Sequence, residues 1–277
     1  LIALDNLLDM VATEAAEVGL ERELEKRRGQ RMQMKINALT VCVNYWDIYN
    51  RCFRRVLEGV DSLTIVTDLA NFEALERHPD FGGGMNRNPK LKIVATDLFY
   101  ADGCTFNKGR AMEWARVHHM TWEDWILFID ADICPQAGWR PILEHSHLKP
   151  GTLYSARRLD CKTPEDIDTG RARMITTDGV GVGYFQLFHV SDPHISGAPR
   201  PLLETFWKHA GVYDCAFMWK WKTDQSRQLL PVRLYHIGPR DNWLGRGNVA
   251  GFQKLQEERK AAGGSWQHER IAATPID

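Results

Sequence analysis

The sequence predicts an α/β fold, a mostly parallel central sheet flanked by helices, on three observations. Short apolar runs recur from about residue 38 to residue 129, each run is apolar on both strand faces, and helical patterns separate them. Strands with two apolar faces need cover on both sides, and helices in the connections supply it. The first run is Leu39-Thr40-Val41-Cys42-Val43, with a helix expected at about 47 to 58. Leu63-Thr64-Ile65-Val66 follows, with a helix at about 70 to 77. Leu91-Lys92-Ile93-Val94-Ala95 comes next, then a helix at about 107 to 120 and the run Trp125-Ile126-Leu127-Phe128-Ile129.

Two flanking segments complete the organisation. Upstream, within residues 1–37, Leu7, Leu8, Val11, Ala15, Val18 and Leu24 recur at helical spacing, with a charged run from Glu21 to Arg31, which reads as a helical arm. Downstream, residues 247–277 read as a closing helix around Phe252 and Leu255 and a tail of small and polar residues. The principal domain is residues 38–246. With 35 basic and 36 acidic residues, the chain has no overall cationic field to draw it onto nucleic acid. Its six cysteines form no C-x-x-C pair, which speaks against a zinc site and for reduced thiols in a cytosolic compartment. No apolar stretch is long enough for a membrane span.

In open sheets of this kind ligands sit beyond the carboxyl ends of the strands. Those ends read Asn44-Tyr45, Thr67-Asp68, Thr96-Asp97 and Asp130-Ala131-Asp132. Any one of them suits a helix cap; together they mark a rim. Strand side chains alternate faces, so Asp130 and Asp132, two apart, project the same way, and two neighbouring carboxylates call for a cation. Mg2+ or Mn2+, which also hold substrate phosphates, suit such ligands. Asp68, an acceptor only, suits a base N–H such as the imide of uracil. In Phe106-Asn107-Lys108-Gly109-Arg110-Ala111 the glycine allows close backbone approach, and Lys108 and Arg110 offer donors to an anion.

With Gly183-Tyr184-Phe185-Gln186-Leu187-Phe188, these pieces resemble the nucleotide-sugar-dependent glycosyltransferases of the Rossmann-like GT-A fold, particularly the family 2 type. The likeness spans roughly residues 38 to 246. It implies that Asn44, Tyr45, Asp68, Lys108, Arg110 and Asp130 bind the donor, with Asp130 on the ribose or a metal-bound water. It also implies that Asp132 ligates the metal, that His236 of Leu234-Tyr235-His236-Ile237-Gly238-Pro239 is a further ligand, and that Arg240 and Arg246 close over the diphosphate. Asp214 matches the second acid of the family's Glu-Asp motif, its catalytic base, while Tyr213 stands where the first acid would be. If that register is wrong, Asp178, Asp192 and Glu204 are the other candidate bases. One base and no evident second carboxylate imply a single displacement with inversion. Trp219, Trp221 and Trp243 are candidates to frame sugar or base rings. The segment Leu159 to Gly181 reads as a mobile loop over the acceptor.

The expected cofactor is Mn2+ or Mg2+ and the expected donor a nucleoside-diphosphate sugar, uridine favoured. A saccharide, a protein, a lipid-linked glycan or a modified base in DNA remain as acceptors. A noncatalytic sugar or nucleic-acid binding module would account for the aromatics and arginines, but would not need Asp130, Asp132, Asp214 and His236 together. A nucleotidyltransferase would place a glycine-rich basic loop where Asn44-Tyr45-Trp46-Asp47 stands.

Overall fold

The computed structural model describes residues 34–79, 88–174, 183–197, 201–211, 213–238, 249–261 and 263. Apart from Met34, all of these belong to one compact unit, Lys35–Asp277. The predicted helical arm up to residue 33 and the tail beyond residue 263 lie outside the described residues.

The α/β fold is as the sequence predicts. Strands β1 (Ile36–Val41), β2 (Ser62–Thr67), β3 (Leu91–Ala95) and β4 (Trp125–Ile129) run parallel in the order β3-β2-β1-β4. Every residue of β1 and β4 is buried, as a strand covered on both faces requires. Helices α1 (Trp46–Gly59), α2 (Leu69–Glu76) and α3 (Lys108–His118) fill the connections. Helix α1 buries Ile48, Tyr49, Cys52, Phe53 and Val56, one helical stripe. Leu39, Val66, Phe128, Phe188, Phe217 and Trp221 share one core with Ala111, Met112 and Ala115 of α3.

The second half of the sheet departs from a mostly parallel pattern. Strand β8 (Phe185–His189) lies antiparallel to β4, with Leu187 opposite Leu127. Strand β6 (Leu153–Cys161) joins β8 antiparallel, and β9 (Arg227–Ile237) runs parallel to β6. Strand β5 (Ile133–Pro135) closes the order antiparallel to β9. The expected loop from Leu159 to Gly181 is therefore ordered in part. It begins inside β6, then holds α5 (Glu165–Asp168) and β7 (Arg173–Met174), which pairs with β6. Residues 175–181 lie outside the described set. The remaining helices are α4 (Trp139–His145), α6 (Tyr213–Met218) and α7 (Val249–Ala261), the last where a closing helix is expected. Among the described residues no helix is long and apolar enough to cross a membrane.

Strand directions decide where polar groups gather. Because β8 is antiparallel to both β4 and β6, strands β6 and β9 point the same way as β1 to β4. Their carboxyl ends, the start of β8 and the start of β5 thus share one sheet edge. That edge collects Asp130, Asp132, Asp160, Gly183 and His236.

Candidate active site

Strand β4 stops at Ile129, and Ile133 N–H donates to the Asp130 carbonyl at 3.1 Å, closing a turn over Asp130-Ala131-Asp132. The expectation that the two carboxylates project together is thereby corrected, because side-chain alternation holds only while the backbone is extended. Asp130 turns to Lys108, whereas Asp132 turns to His236.

The first group forms around Lys108. Asn107 caps α3 by accepting from Arg110 N–H at 2.9 Å, which fixes Lys108 at the first turn. The Lys108 ammonium forms a tight ion pair with Asp130 Oδ1 and lies 5.0 Å from the centre of the Tyr213 ring. Burial opposes its charge, but Asp130 and Tyr213 together outweigh burial and hold its pKa well above the usual lysine value. Burial also raises the Asp130 carboxyl, while Lys108 works to lower it. Asp214, on α6, is half-buried and accepts Cys215 N–H at 2.7 Å. Burial pushes its pKa up to about 6, against the pull of Lys108 and with the push of Asp130. Its side chain lies directly on Gly183, where a Cβ would come within 1.9 Å of Asp214 Oδ2. Gly109 is needed for a like reason. A Cβ there would fall 2.3 Å from the Glu204 carbonyl, so the close backbone approach expected of Gly109 is made by this chain itself.

The second group runs across three adjacent strands. His236 Nε2 lies 3.5 Å from Asp132 Oδ2, and His236 Nδ1 lies 3.3 Å from Asp160 Oδ1. Burial lowers the imidazole pKa, but Asp132, with Asp160, raises it and the net shift is upward. Arg158 Nε stands 3.8 Å from Asp160 Oδ1, with its guanidinium 4.6 Å from the centre of the Tyr184 ring. Asp132 Oδ1 is buried without a hydrogen-bond partner among the described residues.

Among the described residues no three of His, Cys, Asp and Glu are arranged to hold a metal ion. The expected trio of Asp130, Asp132 and His236 is not such a group, and Asp130 is paired with Lys108 instead. Asp132 and His236 alone still fit a divalent cation. They lie side by side, and the unpartnered Asp132 Oδ1 is an anionic oxygen that burial makes costly to leave unmatched. Mg2+ and Mn2+ commonly take their other ligands from water and substrate phosphates.

Other expected residues fall elsewhere. Asp68 caps α2, accepting from Asn71 N–H at 2.9 Å and Asn71 Nδ2 at 2.6 Å, and takes the Tyr100 hydroxyl at 2.9 Å. At 5% exposure it is a cap rather than an open base contact. Arg110 is likewise corrected as an anion donor: its guanidinium is buried and pairs with Asp102 Oδ2 at 2.7 Å. Asn44, at φ 57, is exposed on the rim beside Tyr45, the N-cap of α1. Of the other candidate bases, Asp192 is fully buried and accepts from Trp221 Nε1 and Gly151 N–H, both at 3.0 Å. Glu204 accepts from Trp207 Nε1 at 2.8 Å. Trp221 is a core residue, whereas Trp219 is 58% exposed. Asp178, Arg240, Trp243 and Arg246 lie outside the described residues.

Sequence reasoning missed Asp160 as a site residue. The strand pattern of β6 is obscured by the charges of Arg157, Arg158 and Asp160, so its end, from Leu159, reads as loop.

No protein-family model and no curated protein sequence matches this chain. One solved structure with a likeness is a protein from Bacillus anthracis described as a glucose-1-phosphate thymidylyltransferase, in complex with sucrose. It is 10% identical, at a TM-score of 0.38, over 79% of this chain and 94% of its own. Another is mouse xyloside xylosyltransferase 1 in its apo form, 13% identical at a TM-score of 0.33, over 57% of this chain and 70% of its own. Likenesses this remote add nothing to what the strand order shows.

Proposed function

We propose that this chain is a metal-dependent glycosyltransferase that moves a sugar from a nucleoside-diphosphate sugar to an acceptor hydroxyl, by single displacement with inversion. The observation that carries the reading is Asp214: a half-buried carboxylate raised to about 6, beside a charge-compensated Asp130 and Lys108 at the ligand-binding edge of the sheet. An acceptor hydroxyl sheds its proton as it attacks the anomeric carbon. A carboxylate with a raised pKa takes that proton more readily than an ordinary aspartate and is still ionised at neutral pH. Lys108 keeps a positive charge close to both Asp130 and Asp214, where it can face growing negative charge on a leaving group.

Asp132 and His236 are the residues that would hold Mn2+ or Mg2+. Such an ion, when bound, supplies counter-charge to a departing nucleoside diphosphate. Arg240 and Arg246 are proposed to add forked donors to the same phosphates. Asn44 and Tyr45, on the rim, are proposed donor contacts. The acceptor is a saccharide, a protein, a lipid-linked glycan or a modified base in DNA.

A panel of uridine- and guanosine-diphosphate sugars with Mn2+, read as released nucleoside diphosphate, is expected to single out one donor class. Pyrophosphate formed from a nucleoside triphosphate and a sugar phosphate, with no diphosphate released from any donor, would make the chain a nucleotidyltransferase instead. In the same assay Asp132→Ala is expected to lose metal-dependent turnover with an unchanged circular dichroism spectrum. Undiminished turnover would remove Asp132 from the cation site.

A further inference from the structure

Asp160 has no part in the reading above, yet it is placed to fix the imidazole of His236. Strands β6 and β9 are parallel and in register with Asp160 opposite His236, so the two side chains share a face. That opposition depends on an irregularity. Ala156 pairs with Leu230 but Arg157 pairs with Arg233, so Pro231 and Val232 are extra residues in β9. An uninterrupted ladder would set Asp160 against Leu234, which is fully buried, and no polar pair would form. A bulge re-aims the side chains that follow it, and proline, which lacks a ladder donor, is tolerated in one.

The other flank of His236 is set by β5. Ile133 pairs with His236, and Ile237 N–H donates to the Asp132 carbonyl at 2.9 Å. The imidazole thus stands between two carboxylates that approach opposite ring nitrogens, Asp132 at Nε2 and Asp160 at Nδ1. As the ring stands, the buried Nδ1 makes no hydrogen bond among the described residues, with Asp160 Oδ1 at 3.3 Å beside it. They do not converge on one point and cannot share one job. A neutral imidazole has one donor nitrogen and one acceptor nitrogen. When Nε2 faces a cation, Nδ1 must carry the hydrogen, and a carboxylate beside Nδ1 fixes both the tautomer and the ring plane. Asp160 is itself set by its neighbours. Arg158 flanks it at 3.8 Å and lies over the Tyr184 ring, whose hydroxyl donates to the Ala156 carbonyl at 2.9 Å.

We propose that Asp160 is the positioning residue of the cation site, accepting Nδ1–H of His236 so that Nε2 faces the cation beside Asp132. This deepens the transferase reading and rests on it for the cation itself. The test is Mn2+ binding to the full chain without substrate, followed by electron paramagnetic resonance. Nitrogen-15 NMR of the His236 ring in the Mg2+-loaded protein and a thermal melt accompany it. Asp160→Ala is expected to weaken Mn2+ by about 10- to 100-fold and to abolish the Nδ1–H signal. Asp160→Asn keeps an acceptor oxygen, so it is expected to melt closer to the wild type than alanine does, to retain the Nδ1–H signal and to weaken Mn2+ less.

Loss of Mn2+ binding in His236→Ala, with native affinity and an intact Nδ1–H signal in both Asp160 variants, would overturn the proposal while leaving the cation site standing. If the wild type binds no Mn2+, or binds it as well as His236→Ala does, the cation site is wrong and the proposal falls with it. The two failures are told apart by the His236→Ala result.

Discussion

Asp130 and Asp132 are separated by a single alanine, yet their charges are matched in different ways. Asp130 has a cation built into the chain, the Lys108 ammonium, in a tight ion pair. Asp132 has an imidazole at 3.5 Å and a buried oxygen with no hydrogen-bond partner among the described residues. A buried carboxylate left unmatched is costly, so the first side is electrostatically complete, while the second is where the proposed cation would act. The turn closed by Ile133 N–H is what divides them. Two acids in a D-x-D pattern therefore need not share one ion.

The largest effect is expected on the complete side, at the base. Asp214→Asn keeps the volume but cannot take a proton, so transfer is expected to fall by about 10² to 10⁴-fold with donor affinity preserved. Single-turnover kinetics beside a donor-binding titration would measure both, and an unchanged transfer rate would reassign the base. Gly183→Ala tests the same residue through its support. The added Cβ would come within 1.9 Å of Asp214 Oδ2 and 2.0 Å of Asp214 Cβ, so the base must move. Displacing a reacting group by about 1 Å costs on the order of 10²-fold in kcat, and because Asp214 Cβ itself must shift, the melting temperature is expected to fall as well. Equal kcat values for Gly183→Ala and wild type would mean that Asp214 need not sit where it does.

The parallel half of the sheet was legible because burial writes itself into sequence there. Runs such as Trp125 to Ile129 are apolar throughout, and the breaks between them fall at the helices. The other half was less so. Strand β9 carries Arg227, Arg233 and Tyr235 among its apolar residues, and β6 carries Arg157, Arg158 and Asp160, so neither shows a clean period. Lys108, Asp132, Asp214 and His236 could be named from residue type and order. Their partners could not. That Lys108 meets Asp130, or that Asp160 meets His236 only through an insertion at Pro231 and Val232, depends on a turn and a bulge that leave no local mark on those residues. Arg110 was misread for a related reason. Its pairing with Asp102, which has φ 55, is made by a short helical turn that its own neighbours do not announce.

The smallest and most discriminating effect is expected from Lys108→Met, which removes the built-in cation and makes the two sides alike. Lys108 is the charge that holds both Asp130 and Asp214 down against burial. In the wild type the proposed base is protonated below about 6, so activity is expected to rise with pH through that value and then level. Without Lys108 the Asp214 pKa climbs further, and the rising limb of the pH-rate profile moves to higher pH. Stability moves in a matching sense. A carboxyl whose folded pKa lies above its unfolded value binds its proton more tightly when folded, so stability is present at low pH and falls as pH rises through the folded pKa. The variant is therefore expected to lose about 1 to 3 kcal/mol near neutral pH, where Asp130 would be an unpaired charge, and less in acid, where Asp130 is protonated. Denaturant midpoints at two pH values read the stability, and the pH-rate profile reads the base. A limb that stays near 6 in Lys108→Met would show that Lys108 does not act on the group that takes the proton.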